Sequence, residues 1–121
     1  MKGLVMAIKL NQEGLKWAQN RIKKGEVDSF PGSWKAHKAS KDETDKYLET
    51  HDIHEYGQWF LGLNTEVPEN SKQHYVFPHG DLKMVHTDAL EEDIKAAQAQ
   101  GIKEVADAAQ RLLDMVDKTE H

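Results

Sequence analysis

The feature that most constrains this 121-residue chain is the apolar series Ile102, Val105, Ala106, Ala109, Leu112, Leu113 and Val116, at i, i+3, i+4, i+7, i+10, i+11 and i+14. That spacing fits an α-helix with one buried face and predicts a helix over 102–117. Gly101 breaks the pattern, and Leu90, Ile94 and Ala97 trace the inner face of another helix over 88–100, with Thr87 or Asp88 as its cap. So short a link makes the two helices antiparallel neighbours. Their alanines, among them Ala96, Ala97, Ala99, Ala106, Ala108 and Ala109, allow a close approach of the axes. The chain is thus expected to end in an antiparallel helical hairpin, with 118–121 as a frayed tail.

Ahead of this pair, Gln73 to His86 reads as a β-hairpin. If Phe77 pairs with Leu82 and Tyr75 with Met84 across Pro78-His79-Gly80-Asp81, period-2 alternation places Tyr75, Phe77, Leu82 and Met84 on one apolar face. His79 then lies in the turn, and His74 and His86 lie close together on a polar edge. Tyr56 to Asn64, aromatic-rich with two glycines, reads as another strand. Residues 12–24 form a helix capped by Asn11 and ended at Gly25, and Ser40 with Glu43 has capping-box spacing for a helix reaching about His51. The connector 26–39 is expected to be pinned to the core by Phe30 and Trp34, and 65–72 is an exposed loop. Residues 1–10 are a leader or an edge strand. The fold class is α+β: one domain spanning 1–121, a small antiparallel sheet of about three strands packed by helices.

Composition sets the scale of that domain. Leu, Ile, Val and Phe number 25 of 121, about 21 %, just above the level at which disorder becomes the default, so one small core is expected. Cysteine is absent, which excludes disulfides, thiolate metal sites and Cys nucleophiles. Lys9 interrupts the short apolar run at the N-terminus, and no stretch approaches the roughly 18 apolar residues of a membrane span. The expected setting is cytoplasmic, with no membrane partner.

Three sets of side chains point to chemistry. His51, His54 and Glu55 lie at i, i+3 and i+4, a spacing that on one helix turns all three toward a single ion such as zinc or iron, although the order is not that of a metalloprotease. Residues 1–41 carry 9 basic and 3 acidic side chains (+6) and residues 42–121 carry 7 and 18 (−11). Arg21, Lys23, Lys24, Lys35, Lys38 and Lys41 are therefore candidates for nucleic-acid contact. The net charge of −5 argues against that partner, because a nucleic-acid-binding domain is usually basic overall. Finally, Trp34, Trp59, Tyr75 and His79 are candidates for an interaction surface, and Trp34, His37, Trp59, Tyr75 and Phe77 for a ligand groove rimmed by Lys35 and Lys38. The serines lie in loops or caps outside any Gly-x-Ser-x-Gly, and there is no Gly-rich phosphate loop or dinucleotide fingerprint, so neither a catalytic set nor a cofactor is implied.

Tyr75-x-Phe77-Pro78-x-Gly80-Asp81, then Val85-His86, Ala89-Leu90, Ala96-Ala97-Gln98, Ala108-Ala109 and Leu112-Leu113, with Trp59 to Gly62 before them, resemble a pattern in small uncharacterised bacterial and prophage-associated proteins. The resemblance covers residues 57–116 and carries no catalytic residues. It implies a stand-alone accessory or interaction domain with a protein partner, in preference to an enzyme.

Overall fold

The computed structural model describes residues 7–119. The chain runs β1 (Ile8–Leu10), α1 (Gln12–Lys23), β2 (Val27–Asp28), α2 (Ser33–His37), α3 (Lys41–Thr50), α4 (Ile53–Gly57), β3 (Phe60–Asn64), a 3₁₀ turn (Lys72–His74), β4 (Tyr75–Pro78), β5 (Val85–His86), α5 (Thr87–Gln100) and α6 (Lys103–Thr119). An antiparallel sheet has the order β1-β3-β4, and β2 pairs with β5 in a separate parallel ribbon. The expected α+β class, with a three-stranded antiparallel sheet, packing helices and a terminal helical pair, is the observed one.

The helices form where local chemistry places them. Gly25, at φ 79°, closes α1 with the Glu26 N–H on the Arg21 carbonyl and the Gly25 N–H on the Ile22 carbonyl, a Schellman arrangement. Ser40 and Glu43 make the reciprocal capping box of α3. In α6, Val105, Ala106, Ala109, Leu112 and Val116 are buried and pack with Leu90 and Ala97 of α5 and with Leu15, Ala18 and Ile22 of α1. Lys118 and Thr119 continue α6, so the helix runs past the expected end at 117. Of the predicted leader, only 7–10 lies within the described residues, and Ile8–Leu10 is an edge strand.

Four local expectations change. Tyr56 and Gly57 belong to α4, because Asp52 and Glu55 form a second capping box that starts a short helix there, and the strand begins only at Phe60. Asn11 occupies the N-cap position of α1, but its side-chain amide donates to the carbonyls of Gly57 and Phe60, both at 3.0 Å, and so ties α1 to β3. Gly14 permits this seam: a Cβ there would stand 1.9 Å from the Phe60 carbonyl oxygen. Neither Thr87 nor Asp88 caps α5, because both side chains are spent on the loop before α2.

The largest change is in the hairpin. β4 pairs with β3, in the register Phe60↔Pro78, Gly62↔Val76, Leu63↔Tyr75. The reversal comes three residues later than Phe77–Leu82 pairing requires, at Asp81–Met84, with a bridge between Gly80 and Val85. Asp81 sets it: its Oδ1 accepts the N–H groups of Lys83 (3.0 Å) and Met84 (2.8 Å). Tyr75 and Phe77 are buried as alternation predicts, whereas Leu82 and Met84 are only half-buried, and Leu82 sits in the turn at φ 72°.

Candidate functional site

The segment between β2 and α3 is built around side chains that satisfy its own backbone. Asp28 accepts the Phe30 N–H (3.0 Å) on one oxygen and the Ser33 hydroxyl (2.5 Å) on the other. The Ser33 hydroxyl and the burial that opposes it, with the Phe30 N–H, leave the Asp28 carboxyl below its usual range. Gly32, at φ 86°, donates its N–H to Asp88 of α5 (2.8 Å), and the Thr87 hydroxyl donates to Ser29 (2.9 Å). The loop is thereby fixed to the start of α5. Trp34 turns inward and is buried, as expected, but Phe30 points out and is 75 % exposed. The backbone bonds that pin the loop hold the Phe30 ring away from the core.

Beneath Trp34 lies His86, with ring centroids 5.2 Å apart. The His86 Nε2 is 2.9 Å from Asp81 Oδ2, and His37 stacks on its ring at 6.3 Å. Burial pushes the Asp81 carboxyl up, but the Met84 N–H, His86 and the Lys83 N–H outweigh it, and the net shift is downward. Ser33, Asp28 and His37 cluster tightly: His37 Nδ1 lies 3.0 Å from both the Ser33 hydroxyl and the Ser33 carbonyl. This is not a nucleophile and its base. The hydroxyl proton is committed to Asp28, and the Phe30, Gly32 and Ser33 N–H groups, which would have to stabilise an oxyanion, are all donated elsewhere.

Beside Trp34 opens a cavity of about 180 Å³, lined by Trp34, Lys38, Ala39, Thr44, Tyr56, Phe60, Pro78, Gly80 and Leu82. Its walls come from α2, α3, α4, β3, β4 and the Asp81 turn. Lys38 is exposed at its edge, with Nζ 5.9 Å from the Trp34 ring, and it forms no ion pair among the described residues. A larger depression of about 420 Å³ between α3 and the Asp81 turn has Glu43, Lys46, Asp81 and Lys83 in its lining, charges of both signs that offset one another.

The predicted site residues separate. Trp34 and Lys38 of the expected groove do line the cavity. His37, Trp59, Tyr75, Phe77 and Lys35 do not. The four proposed surface residues, Trp34, Trp59, Tyr75 and His79, are all buried, and of them Trp34 alone lines the cavity. They fill the interior because a small domain short of aliphatic side chains uses its aromatics as core. His79 is 0 % exposed, packs on Trp59 at 5.6 Å and donates from Nε2 to the Gln58 carbonyl (2.8 Å). Burial drives its pKa down to about 4 against the opposing pull of that carbonyl. His74 does not neighbour His86, because its Nδ1 bridges the Asn64 and Val67 carbonyls at 2.8 and 2.9 Å.

The metal candidates are not brought together. α3 ends at Thr50 and α4 starts at Ile53, so His51 is not on the helix that carries His54 and Glu55. His51 stacks on Tyr47 (3.8 Å), and the Glu55 carboxylate accepts the Asp52 N–H in the capping box. No group of three or more His, Asp or Glu among the described residues is placed to hold a metal ion. The basic residues are also divided. Arg21 lies over Trp17 (4.3 Å) and pairs with Glu26, Lys41 pairs with Asp45, and Lys23, Lys24, Lys35 and Lys38 remain exposed. No helix among the described residues is long and apolar enough to cross a membrane.

The walls that sequence reasoning missed are Ala39, Thr44, Tyr56, Phe60, Pro78, Gly80 and Leu82. Tyr56 and Phe60 carried the one available signal, an aromatic pair at i and i+4 whose rings lie 4.9 Å apart, but a single strand would hold two such residues roughly 13 Å apart, and only the helical turn at Tyr56 brings them together. No protein-family model, curated protein or solved structure matches the chain.

Proposed function

We propose that this protein is a non-catalytic accessory domain of the cytoplasm that recognises one apolar anchor side chain of a protein partner in the cavity beside Trp34. The supporting observation is the size and lining of that cavity. Sites for drug-sized ligands and cofactors run from roughly 300 to 1,000 Å³. An enclosure of about 150 Å³ takes a single benzene ring. At about 180 Å³, with Trp34, Tyr56, Phe60, Pro78 and Leu82 in its walls, the cavity suits one aromatic ring and is too small for a nucleotide. Interfaces concentrate their energy in such anchors. Lys38 at the edge favours an anchor beside a carboxylate. Leu82, a wall residue held at φ 72°, is the kind of backbone outlier that surrounding structure maintains where shape matters. An accessory role accords with the resemblance to prophage-associated proteins, which itself awaits a test in the identity of neighbouring genes.

Titration of the isotope-labelled protein with 3-phenylpropionate tests the reading. Shifts confined to Trp34, Phe60, Leu82 and their neighbours are expected, with affinity in roughly the millimolar range for so small a probe. Benzylamine, repelled by Lys38, should bind more weakly. Absence of localised shifts at saturating phenylpropionate would overturn the assignment.

A further inference from the structure

Phe30 is the one large apolar side chain strongly exposed among the described residues. A lone exposed apolar residue is ordinary. This one differs in how it is held. Its own N–H is bonded to Asp28, Pro31 follows it, and the Gly32 N–H is bonded to Asp88. The ring is therefore presented on a loop with little conformational freedom left to lose on binding. One helical turn later, Trp34 and Lys38 form a wall and the edge of a cavity sized for a single ring. Ligand-like ring and ring-sized cavity thus belong to one segment, 30–39.

We infer that the anchor is Phe30 of a second copy of this chain, so that two molecules meet about a two-fold axis beside α2 and each inserts its Phe30 into the other's cavity. The inference rests on the cavity being a recognition site, as proposed above. Two-fold pairing requires one patch to hold both the donor and the acceptor feature, and segment 30–39 does. Charge is complementary across such an axis: the Phe30 loop is flanked by Asp28 and Asp88, and the cavity edge carries Lys38 with Lys35 nearby in sequence. Two rings and their rims make an interface at the low end of the usual size range, so the dimer is weak and appears only toward high concentration. An acidic partner protein bearing an aromatic anchor would compete for the same cavity.

Sedimentation equilibrium across the micromolar to millimolar range tests this, with Phe30→Ala as the first variant. Its exposed site makes it safe for folding, and the dimerisation constant should fall about a hundredfold, because each dimer loses two buried rings. Ala39→Trp, which fills the cavity and leaves Phe30 intact, should weaken the dimer comparably. Mixing the two variants should restore about a tenth of the wild-type association constant through the one intact ring–cavity contact. Saturating 3-phenylpropionate should dissociate the wild-type dimer. An unchanged constant in Phe30→Ala would overturn the proposal. So would a wild-type chain that stays monomeric while phenylpropionate still shifts its cavity resonances, and in that case the recognition site stands and only its occupant is wrong.

Discussion

The α5–α6 pair and the segment from Tyr75 to His86 both bury their side chains well, but they hold them in different ways. In the helical pair each buried residue is specified by neighbours three or four positions away, and the contact is almost wholly apolar: Leu90 and Ala97 against Val105, Ala109 and Leu112. The Tyr75–His86 segment has no such internal order. Its strands pair with β3 and β2, its two buried histidines are held by the Gln58 carbonyl and the Asp81 carboxylate, and Phe77 and Leu82 sit at φ 64° and 72°. A left-handed conformation costs a non-glycine residue roughly 1–2 kcal/mol, so this segment holds its shape only while the surrounding structure enforces it. The helical pair should therefore fail through lost packing, and the segment through lost polar partners and through pH.

Truncation of the helical pair should give the largest effect. Leu112 is fully buried, and Leu112→Ala should cost about 3–5 kcal/mol in urea unfolding, with no dependence on pH. Acid should act instead through the strand segment. His79 is buried neutral with a native pKa of about 4 against an ordinary value of 6.5, so the unfolded chain binds the extra proton first. Its contribution is complete above pH 6.5 and lost as pH falls toward 4, up to about 3 kcal/mol in all. His79→Leu should flatten that part of the pH–stability curve. A slope that survives the substitution would mean that another group carries it.

Asp81→Ala removes the acceptor for two N–H groups and for His86, and should cost about 2 kcal/mol by chemical denaturation, with loss of the amide exchange protection of Met84. The smallest effect should come from the polar exception in the helical pair. Asp93 is buried in α5 with one carboxylate oxygen unpartnered, and burial, aided by Glu92 and opposed by Lys38, holds its pKa well above the ordinary value. The native state keeps its proton longer than the unfolded chain does, so stability falls as pH rises above the ordinary carboxyl range. Asp93→Asn should remove that fall and raise stability near neutral pH by about 1 kcal/mol. A destabilised Asn variant would show instead that the charged carboxylate serves the structure, with Lys38 as its partner.

Much of this division was readable beforehand. The faces of α5 and α6, the Ser40 capping box and the Gly25 terminator are set by residues within one or two turns of each other, so periodicity and capping chemistry determined them. Tyr75 and Phe77 were correctly placed as buried, since alternation is also local. The partner of β4 and the inward turn of His79 and His86 were settled by contacts distant in sequence, which leave no periodic trace, whereas the later reversal is local, set by the Asp81 carboxylate on the Lys83 and Met84 N–H groups. The candidate site divides in the same way. Trp34 and Lys38 stood out as an aromatic beside a cation, but the other walls converge from several elements and form a cavity only once α4 begins at its Asp52 cap. The outward Phe30 reflects the same physics. Its hydrophobicity argued for burial, but the Phe30 N–H donated to Asp28 and the Gly32 N–H donated to Asp88, the second a partner no local rule supplies, fixed the loop with the ring in water.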